Sequence, residues 1–207
     1  MQRIAAVTLI IGTAVAWFGE SRPVITEIFG GAPDPQQVID NNPTAWSTAM
    51  LLMAVGTVII AVGLLLLSRQ IQRVCDDQTV RRISNAAAAL ALLGSLAYAT
   101  GRTISAATQA WESPYELPIT VMWITFSIGW QVALILMGYA LLRSGYPKWL
   151  GWPVIVLAGL ILIGVVITGG LPPGTYYFAA LFMGIALLFV REPQPAASGA
   201  QFEGASA

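Results

Sequence analysis

Long apolar stretches separated by short polar segments dominate this chain. A helix needs about 20 apolar residues to cross about 30 Å of hydrocarbon, and six stretches reach or approach that length. They lie at about residues 4–18, 46–67, 83–105, 117–142, 150–168 and 175–190. The pattern predicts an all-α fold, a six-span transmembrane bundle within residues 1–191. A long outer loop at 19–45 is expected between the first two spans. The tail 192–207 has too little apolar surface to fold and is expected to be disordered and cytoplasmic.

The first stretch has a second interpretation. Arg3, a short apolar run and Ala14-Val15-Ala16 together resemble a secretory signal with a small-residue cleavage site. We expect the segment to be retained as a span. Cleavage would leave five spans.

Composition agrees with a bilayer environment. Hydrophobic residues form 57% of the chain and charged residues 10%, whereas soluble domains carry about 25% charged residues. A soluble fold of 207 residues could not bury so much apolar surface. Ten basic and ten acidic residues balance, so no basic stripe indicates nucleic acid as a partner.

The basic residues predict the orientation, because cytoplasmic loops are enriched in Lys and Arg. With the N-terminus inside, the outer segments hold only Arg22 and Arg102. The remaining basic residues fall inside: Arg3, Arg69, Arg73, Arg81, Arg82, Arg143, Lys148 and Arg191. Six spans would then place the C-terminus inside as well. The expected location is a cell (inner) membrane, crossed several times.

Absent residue types limit the chemistry. The chain has no histidine, and Lys148 and Cys75 are the single residues of their types. His-ligated haem, His-based zinc sites and Ser-His-Asp triads are therefore excluded. The six apolar stretches contain no Asp or Glu, which disfavours a proton relay of buried carboxylates. We expect no metal, no cofactor and no enzymatic activity.

The third stretch carries small residues at every fourth position, which places them on one helix face. They are Ala87, Ala91, Ser95, Ala99 and Thr103. Small side chains let helices approach closely in lipid, so this face predicts a central packing helix. A narrow pathway lined by small side chains is the alternative.

The fourth stretch has a polar face formed by Thr120, Ser127 and Gln131. Gln131 is expected near the bilayer midplane, where an amide is costly without a hydrogen-bond partner. It should therefore face the bundle interior. Either an interhelical hydrogen bond or a polar contact in a small-molecule cavity would satisfy it.

Arg102 is expected just inside the outer boundary of the third span, where a charge usually pairs or reaches for the interface. Glu112 and Glu116 are the nearest acidic residues in sequence. We predict a pair between Arg102 and one of them, with a solvated arginine as the alternative.

Aromatic residues near the expected span ends predict interfacial belts. The outer set is Trp17, Trp46, Trp111, Tyr115, Tyr176 and Tyr177, and the inner set is Tyr146, Trp149 and Trp152.

The run Leu141-Leu142-Arg143-Ser144-Gly145-Tyr146-Pro147-Lys148-Trp149-Leu150-Gly151 resembles a bacterial membrane protein family known as domain of unknown function 4386. Its members end one span in a similar basic run and open the next with a Leu-Gly pair. Arg3-Ile4-Ala5-Ala6 and the outer loop with Asp34-Pro35 and Asn42-Pro43 are also similar. The resemblance implies a six-span bundle and no assigned activity.

Two functions compete at this point. The first is a non-catalytic membrane subunit or interaction protein, whose partners are lipid, other subunits or further copies of the chain. The alternative is a transporter or channel-like binder of a small neutral or apolar molecule, with a cavity around Gln131, Ser127 and Ser95. Gly56 and Gly63 share a face, as do Gly12 and Ala16. Each face is suited to packing within or between protomers.

Overall fold

A computed structural model of the protein describes residues 1–111, 116–168 and 173–193. Helices make up the regular structure in this part of the chain, and it contains no β-strand, which confirms the all-α prediction. The elements are α1 (Gln2–Glu20), α2 (Pro23–Phe29), α3 (Pro35–Asn41), α4 (Pro43–Val74), α5 (Gln78–Thr108), α6 (Glu116–Arg143), α7 (Lys148–Thr168), a 3-10 segment (Pro173–Tyr177) and α8 (Phe178–Phe189).

Among the described residues, five helices are long and apolar enough to cross a membrane: α1, α4, α5, α6 and α7. The sixth expected span coincides with a shorter apolar element, Gly174–Phe189, which contains most of the 3-10 segment and α8. These five apolar helices therefore indicate a membrane-embedded protein.

The helices form a closed ring. Each packs against its neighbour in the order α1, α4, α5, α6, α7 and α8, and α8 returns to α1. In lipid the hydrophobic effect does not drive helices together, so close packing has to stabilise such a ring.

Glycines provide that close packing at two crossings. A Cβ built on Gly12 would lie 2.7 Å from the backbone nitrogen of Ile60, and one on Gly138 would lie 3.0 Å from the carbonyl oxygen of Gly151. The faces of Gly12 and Gly56 therefore pack α1 on α4 within the chain, and Gly138 packs α6 on α7.

The expected outer loop 19–45 is largely helical. Pro23 and Pro35 open α2 and α3, where a proline loses no helical hydrogen bond. Asp34 caps α3 by accepting from the Gln37 amide at 3.0 Å. Val24, Ile25 and Ile28 are buried, so α2 packs on the bundle through its apolar face.

Gln36 ties this outer segment to the end of α5. Its amide nitrogen donates to the Gln109 carbonyl oxygen at 3.1 Å, and its Oε1 accepts from the Trp111 amide at 2.8 Å.

At the opposite end, Gln2 joins α1 to the end of α8. Its Nε2 donates to the carbonyl oxygens of Leu187 at 2.8 Å and Val190 at 2.7 Å. Its Oε1 accepts from the Tyr146 hydroxyl at 3.3 Å. Burial, reinforced by the charge of Glu192, raises the pKa of Tyr146, so this hydroxyl stays protonated and able to donate.

Glu192, at the start of the expected tail, accepts a hydrogen bond from the buried Gln70 side chain of α4. The tail prediction otherwise concerns residues 194–207, which lie outside the described part of the chain.

Candidate functional site

Six aromatic side chains meet in the half of the ring nearer the α5–α6 connection. The predicted orientation places this half outside, so we call it the outer end and the opposite half the inner end. We call the six side chains the outer aromatic cluster: Tyr98, Trp123, Phe126, Trp130, Tyr176 and Tyr177. The Tyr98 and Phe126 rings stack with centroids 4.3 Å apart. Trp123 meets Tyr176 edge-on at 5.2 Å, and Phe126 lies 5.4 Å from Trp130. Such ring pairs contribute about 0.5–1.5 kcal/mol each beyond the burial of their area.

Helical spacing brings the α6 members together. Trp123, Phe126 and Trp130 recur at intervals of three and four residues and so share one face. Opposite them on α5, a Cβ built on Gly94 would lie 3.7 Å from the Phe126 Cα, an ordinary contact distance, so the two helices are in contact there. Tyr176 and Tyr177 come from the 3-10 segment that leads into α8.

Burial corrects the interfacial-belt prediction at four positions, one of which is Tyr146 of the inner set, 3% exposed. Tyr176 and Tyr177 are buried in the bundle, at 0% and 1% exposure. Trp46 is buried too, and its indole nitrogen donates to the Ser105 carbonyl oxygen at 3.0 Å. The belt prediction was wrong here because an aromatic residue near a span end can lie at the membrane interface or in the bundle interior. Its position in the sequence does not distinguish the two.

The backbone of the 3-10 segment is held by α6. The Trp130 indole nitrogen donates to the Tyr176 carbonyl oxygen at 3.1 Å, and Gln131 Nε2 approaches the same oxygen at 3.4 Å. Side chains on a helix tilt toward its N-terminus, so both residues reach from the middle of α6 toward the outer end.

Hydroxyl groups continue the polar contacts across the ring. The Tyr177 and Thr57 hydroxyls lie 3.2 Å apart, and the Tyr98 hydroxyl donates to the Met53 sulfur at 3.7 Å. Helices α4, α5 and the 3-10 segment are thereby connected through one group of polar atoms.

Ser127 and Gln131 retain unused polar atoms. Their side chains are 1% and 0% exposed, and neither Ser127 Oγ nor Gln131 Oε1 has a hydrogen-bond partner among the described residues. Thr13 Oγ1 on α1 is likewise buried without a partner. Leaving such an atom unsatisfied costs about 1–3 kcal/mol.

Two charged residues lie at the outer margin of the cluster. Arg102 of α5 places its guanidinium carbon 4.7 Å from the Tyr98 ring centroid and 5.3 Å from that of Trp123. Glu20 ends α1, and its Oε1 is buried without a hydrogen-bond partner in the described structure. We call Glu20, Arg102, Trp17 and Trp123 the rim, because all four are partly exposed.

The sequence-predicted residues divide between two places. Gln131 and Ser127 lie beside the outer aromatic cluster, and Arg102 lies at its rim. Ser95 packs toward α4, where its hydroxyl donates to the Thr57 carbonyl oxygen at 3.4 Å. Glu112 and the side chain of Glu116 lie outside the described residues, so the predicted pair with Arg102 stays a prediction.

The small-residue ladder of α5 covers only part of the interior. Ala87, Ala91 and Ser95 are buried, whereas Ala99 is half-buried and Thr103 is exposed. A spacing of four residues drifts around a helix that turns every 3.6 residues, so the ladder leaves the interior toward the outer end.

Sequence reasoning missed Glu20, Tyr98 and Tyr177 as site residues. Glu20 was assigned to the outer loop, yet it lies seven residues after Thr13 and three after Trp17, which places all three on one face of α1. That spacing was the available signal. Nothing local to Tyr177 predicted its burial, which depends on the 3-10 segment.

No group of three metal-ligating side chains from His, Cys, Asp or Glu occurs among the residues that the structure describes. Cys75 is buried at the inner end, with its sulfur 4.0 Å from the Arg143 carbonyl oxygen.

Comparison with protein-family models, with curated proteins and with solved structures gave no match to this chain.

Proposed function

We propose that the chain is a multi-pass cell-membrane protein with six spans and both termini on the cytoplasmic side, and that it binds a small molecule at the outer aromatic cluster. The charge distribution of the loops supports the orientation. The resemblance to the six-span bacterial family supports the span number and a bacterial inner membrane.

The length of the last apolar element also supports six spans. It combines five 3-10 residues with twelve α-helical residues. At about 2.0 Å and about 1.5 Å per residue these extend about 28 Å together, close to the hydrocarbon thickness of about 30 Å. The 3-10 segment thus lengthens an element that would be short as an α-helix alone.

The observation that carries the binding proposal is the pair of buried, unpartnered atoms Ser127 Oγ and Gln131 Oε1. They lie one helical turn apart on α6, beside a wall of aromatic rings. Small-molecule sites combine apolar and aromatic walls with a few polar groups that orient the ligand. The pair supplies an acceptor and a hydroxyl in such surroundings.

The 3-10 segment lies between this pair and the rim. Tyr176 closes over Gln131 through its carbonyl oxygen, while Tyr177 contacts α4 through Thr57. A ligand entering at the rim would meet the aromatic rings first and would reach Gln131 when the 3-10 segment shifts. A transporter has to alternate between an arrangement in which the 3-10 segment covers Gln131 and one in which the segment has shifted away. Transport is therefore the proposed role of binding.

The competing role, a subunit of a larger assembly, needs close-packing faces left free for a partner. The small-residue faces predicted for that purpose are used inside the chain. Gly63 meets Leu9 of α1, and Gly184 of α8 meets Ala6, Leu9 and Ile10. Binding therefore has the better structural support.

The proposal is tested by native mass spectrometry of protein extracted from membranes in mild detergent. Wild type is expected to carry a small-molecule adduct that Gln131→Leu and Ser127→Ala lose. Thr100→Val is the matched control, because Thr100 is exposed and its hydroxyl bonds its own helix at the Leu96 carbonyl. Identical adducts on all four proteins, or stable copurification with other chains and no adduct, would overturn the binding proposal.

A further inference from the structure

A basic and an acidic side chain lie at the same rim without pairing. Arg102 of α5 lies over Trp123, whose ring meets Tyr176 of the 3-10 segment, and Glu20 of α1 lies beside Gly174 of the same segment. No ion pair within 4.0 Å joins these two residues. In the described chain, no other carboxylate lies within that distance of Arg102 either. A carboxyl group and a guanidinium, both partly buried, thus lie beside the same 3-10 segment without an ion pair between them.

The Arg102 guanidinium is fixed by ring faces. It lies over Tyr98 and Trp123, and its Nη1 approaches the Met50 sulfur at 3.6 Å. A guanidinium has five N–H donors in a planar fork. Among the residues that the structure describes, the Met50 thioether is the one hydrogen-bond partner of this side chain, so most of the fork is unused there. Such a fork suits a carboxylate or a phosphate.

The Glu20 carboxyl group lies beside the 3-10 segment. A Cβ built on Gly174 would lie 3.2 Å from Glu20 Oε2, so a glycine at 174 leaves room for the carboxylate. The Trp17 indole nitrogen donates to the Gly174 carbonyl oxygen at 2.9 Å and is already committed. Glu20 Oε1 is left as a buried acceptor beside aromatic rings. Carboxylates and aromatic faces both attract an ammonium group.

We infer that the ligand is a zwitterion, with its ammonium group toward Glu20, its acidic group toward Arg102 and its apolar part on the outer aromatic cluster. This inference rests on the proposed binding function. A ligand with both charges would satisfy both rim residues together. A ligand with one charge would leave the other rim side chain without a polar partner, which selects against it.

An ammonium group a few bonds from an acidic group occurs in free amino acids and in the headgroup of phosphatidylethanolamine. The shared chemistry is the zwitterion. An apolar side chain in the first case, or acyl chains in the second, would supply the apolar part.

The test measures equilibrium binding to the purified full chain in detergent, with L-phenylalanine and a short-chain phosphatidylethanolamine as probes. Phenethylamine and 3-phenylpropionate are the matched probes that keep one charge each. We expect at least one zwitterion to bind about tenfold more tightly than the corresponding singly charged probe, since hydrogen bonds to charged groups are the stronger ones. Binding of phenylalanine alone would assign a soluble solute, and binding of the lipid alone would assign a headgroup.

Three variants test which rim residue recognises each charged group of the zwitterion. Glu20→Gln should remove the preference for the zwitterion over phenylpropionate, and Arg102→Met the preference over phenethylamine. Arg22→Met is the control, because Arg22 stacks on Phe18 at 5.2 Å and not on the cluster. Size-exclusion profiles check folding, and Arg102→Gln replaces Arg102→Met if the latter aggregates, because glutamine also lacks the positive charge.

The two proposals fail differently. If singly charged probes bind as tightly as the zwitterions, or if Glu20→Gln changes nothing, the zwitterion inference is overturned. The binding function would still stand wherever Gln131→Leu removes a native adduct. If neither zwitterion binds and the wild type carries no adduct, both proposals are overturned.

Discussion

Gly12 of α1 lies directly against Gly56 of α4. A methyl group on Gly12 would stand 2.8 Å from the Gly56 carbonyl oxygen, and one on Gly56 would collide with the backbone of Ala16. Both helices therefore meet backbone to backbone. The sequence left open whether these faces pack within or between protomers, and this contact assigns them to the interior of one chain.

Gly12→Ala is expected to destabilise the fold by about 1–3 kcal/mol, because the added methyl meets backbone atoms that cannot rotate away. The measurement is reversible unfolding in mixed micelles. Gly159→Ala is the matched control, since a Cβ at Gly159 has no neighbour within 4 Å. That control should be neutral or slightly stabilising. Equal effects of the two variants would contradict the close crossing.

The sequence could predict those features of the fold that depend on local composition. The apolar runs predicted helices at the right places, because the bilayer imposes length and composition on each helix separately. Helix ends such as Pro43 and Asp77 extend beyond the apolar runs, since caps and prolines, not the bilayer, decide where they begin. Gln131 was placed inside on the cost of burying an amide alone.

The remainder of the site depends on contacts between distant segments. Tyr177 meets Thr57 across 120 positions, and Trp17 meets Gly174 across 157. No local pattern specifies such pairs. Glu20 was assigned to the outer loop for the same reason, because its partial burial depends on the distant 3-10 segment beside it.

Gln131→Leu is expected to change the free energy of unfolding by less than about 1 kcal/mol, in either direction. The variant loses a long 3.4 Å hydrogen bond to Tyr176 but also removes the unpartnered Oε1, and these effects oppose each other. Thermal unfolding in detergent, without added ligand, is the measurement. A loss above about 2 kcal/mol would make Gln131 a structural residue and would weaken its role as a ligand contact.

Gln2→Leu is expected to cost about 1–3 kcal/mol, because the carbonyl oxygens of Leu187 and Val190 and the Tyr146 hydroxyl lose their shared partner. Thr100→Val again serves as the control. Since the pKa of Tyr146 is raised, the hydroxyl stays protonated up to and above the ordinary tyrosine value of about 10. The contribution of this contact should therefore be constant between about pH 6 and 9 and be lost only in more alkaline solution.

The six-span topology predicts which exposed positions react with a membrane-impermeant maleimide in intact cells. In a Cys75→Ser background, a cysteine at Gln37 in α3 should be labelled from outside. Cysteines at Asp76, between α4 and α5, and at Lys148, at the start of α7, should be labelled only after the membrane is permeabilised. All three native side chains are exposed in the structure, so a failure to react reflects the membrane and not burial in the protein.

A reporter fused after Ala207 completes the topology test, because it decides whether α8 crosses. With α8 as a sixth span, the fusion reports the same side as Asp76 and Lys148. With five spans and a cytoplasmic N-terminus, it reports the side of Gln37. The second outcome would mean that α8 enters the membrane without crossing it. The Gln2 contacts to α8 would then have to form at a different depth. This result would overturn the proposed orientation of α8.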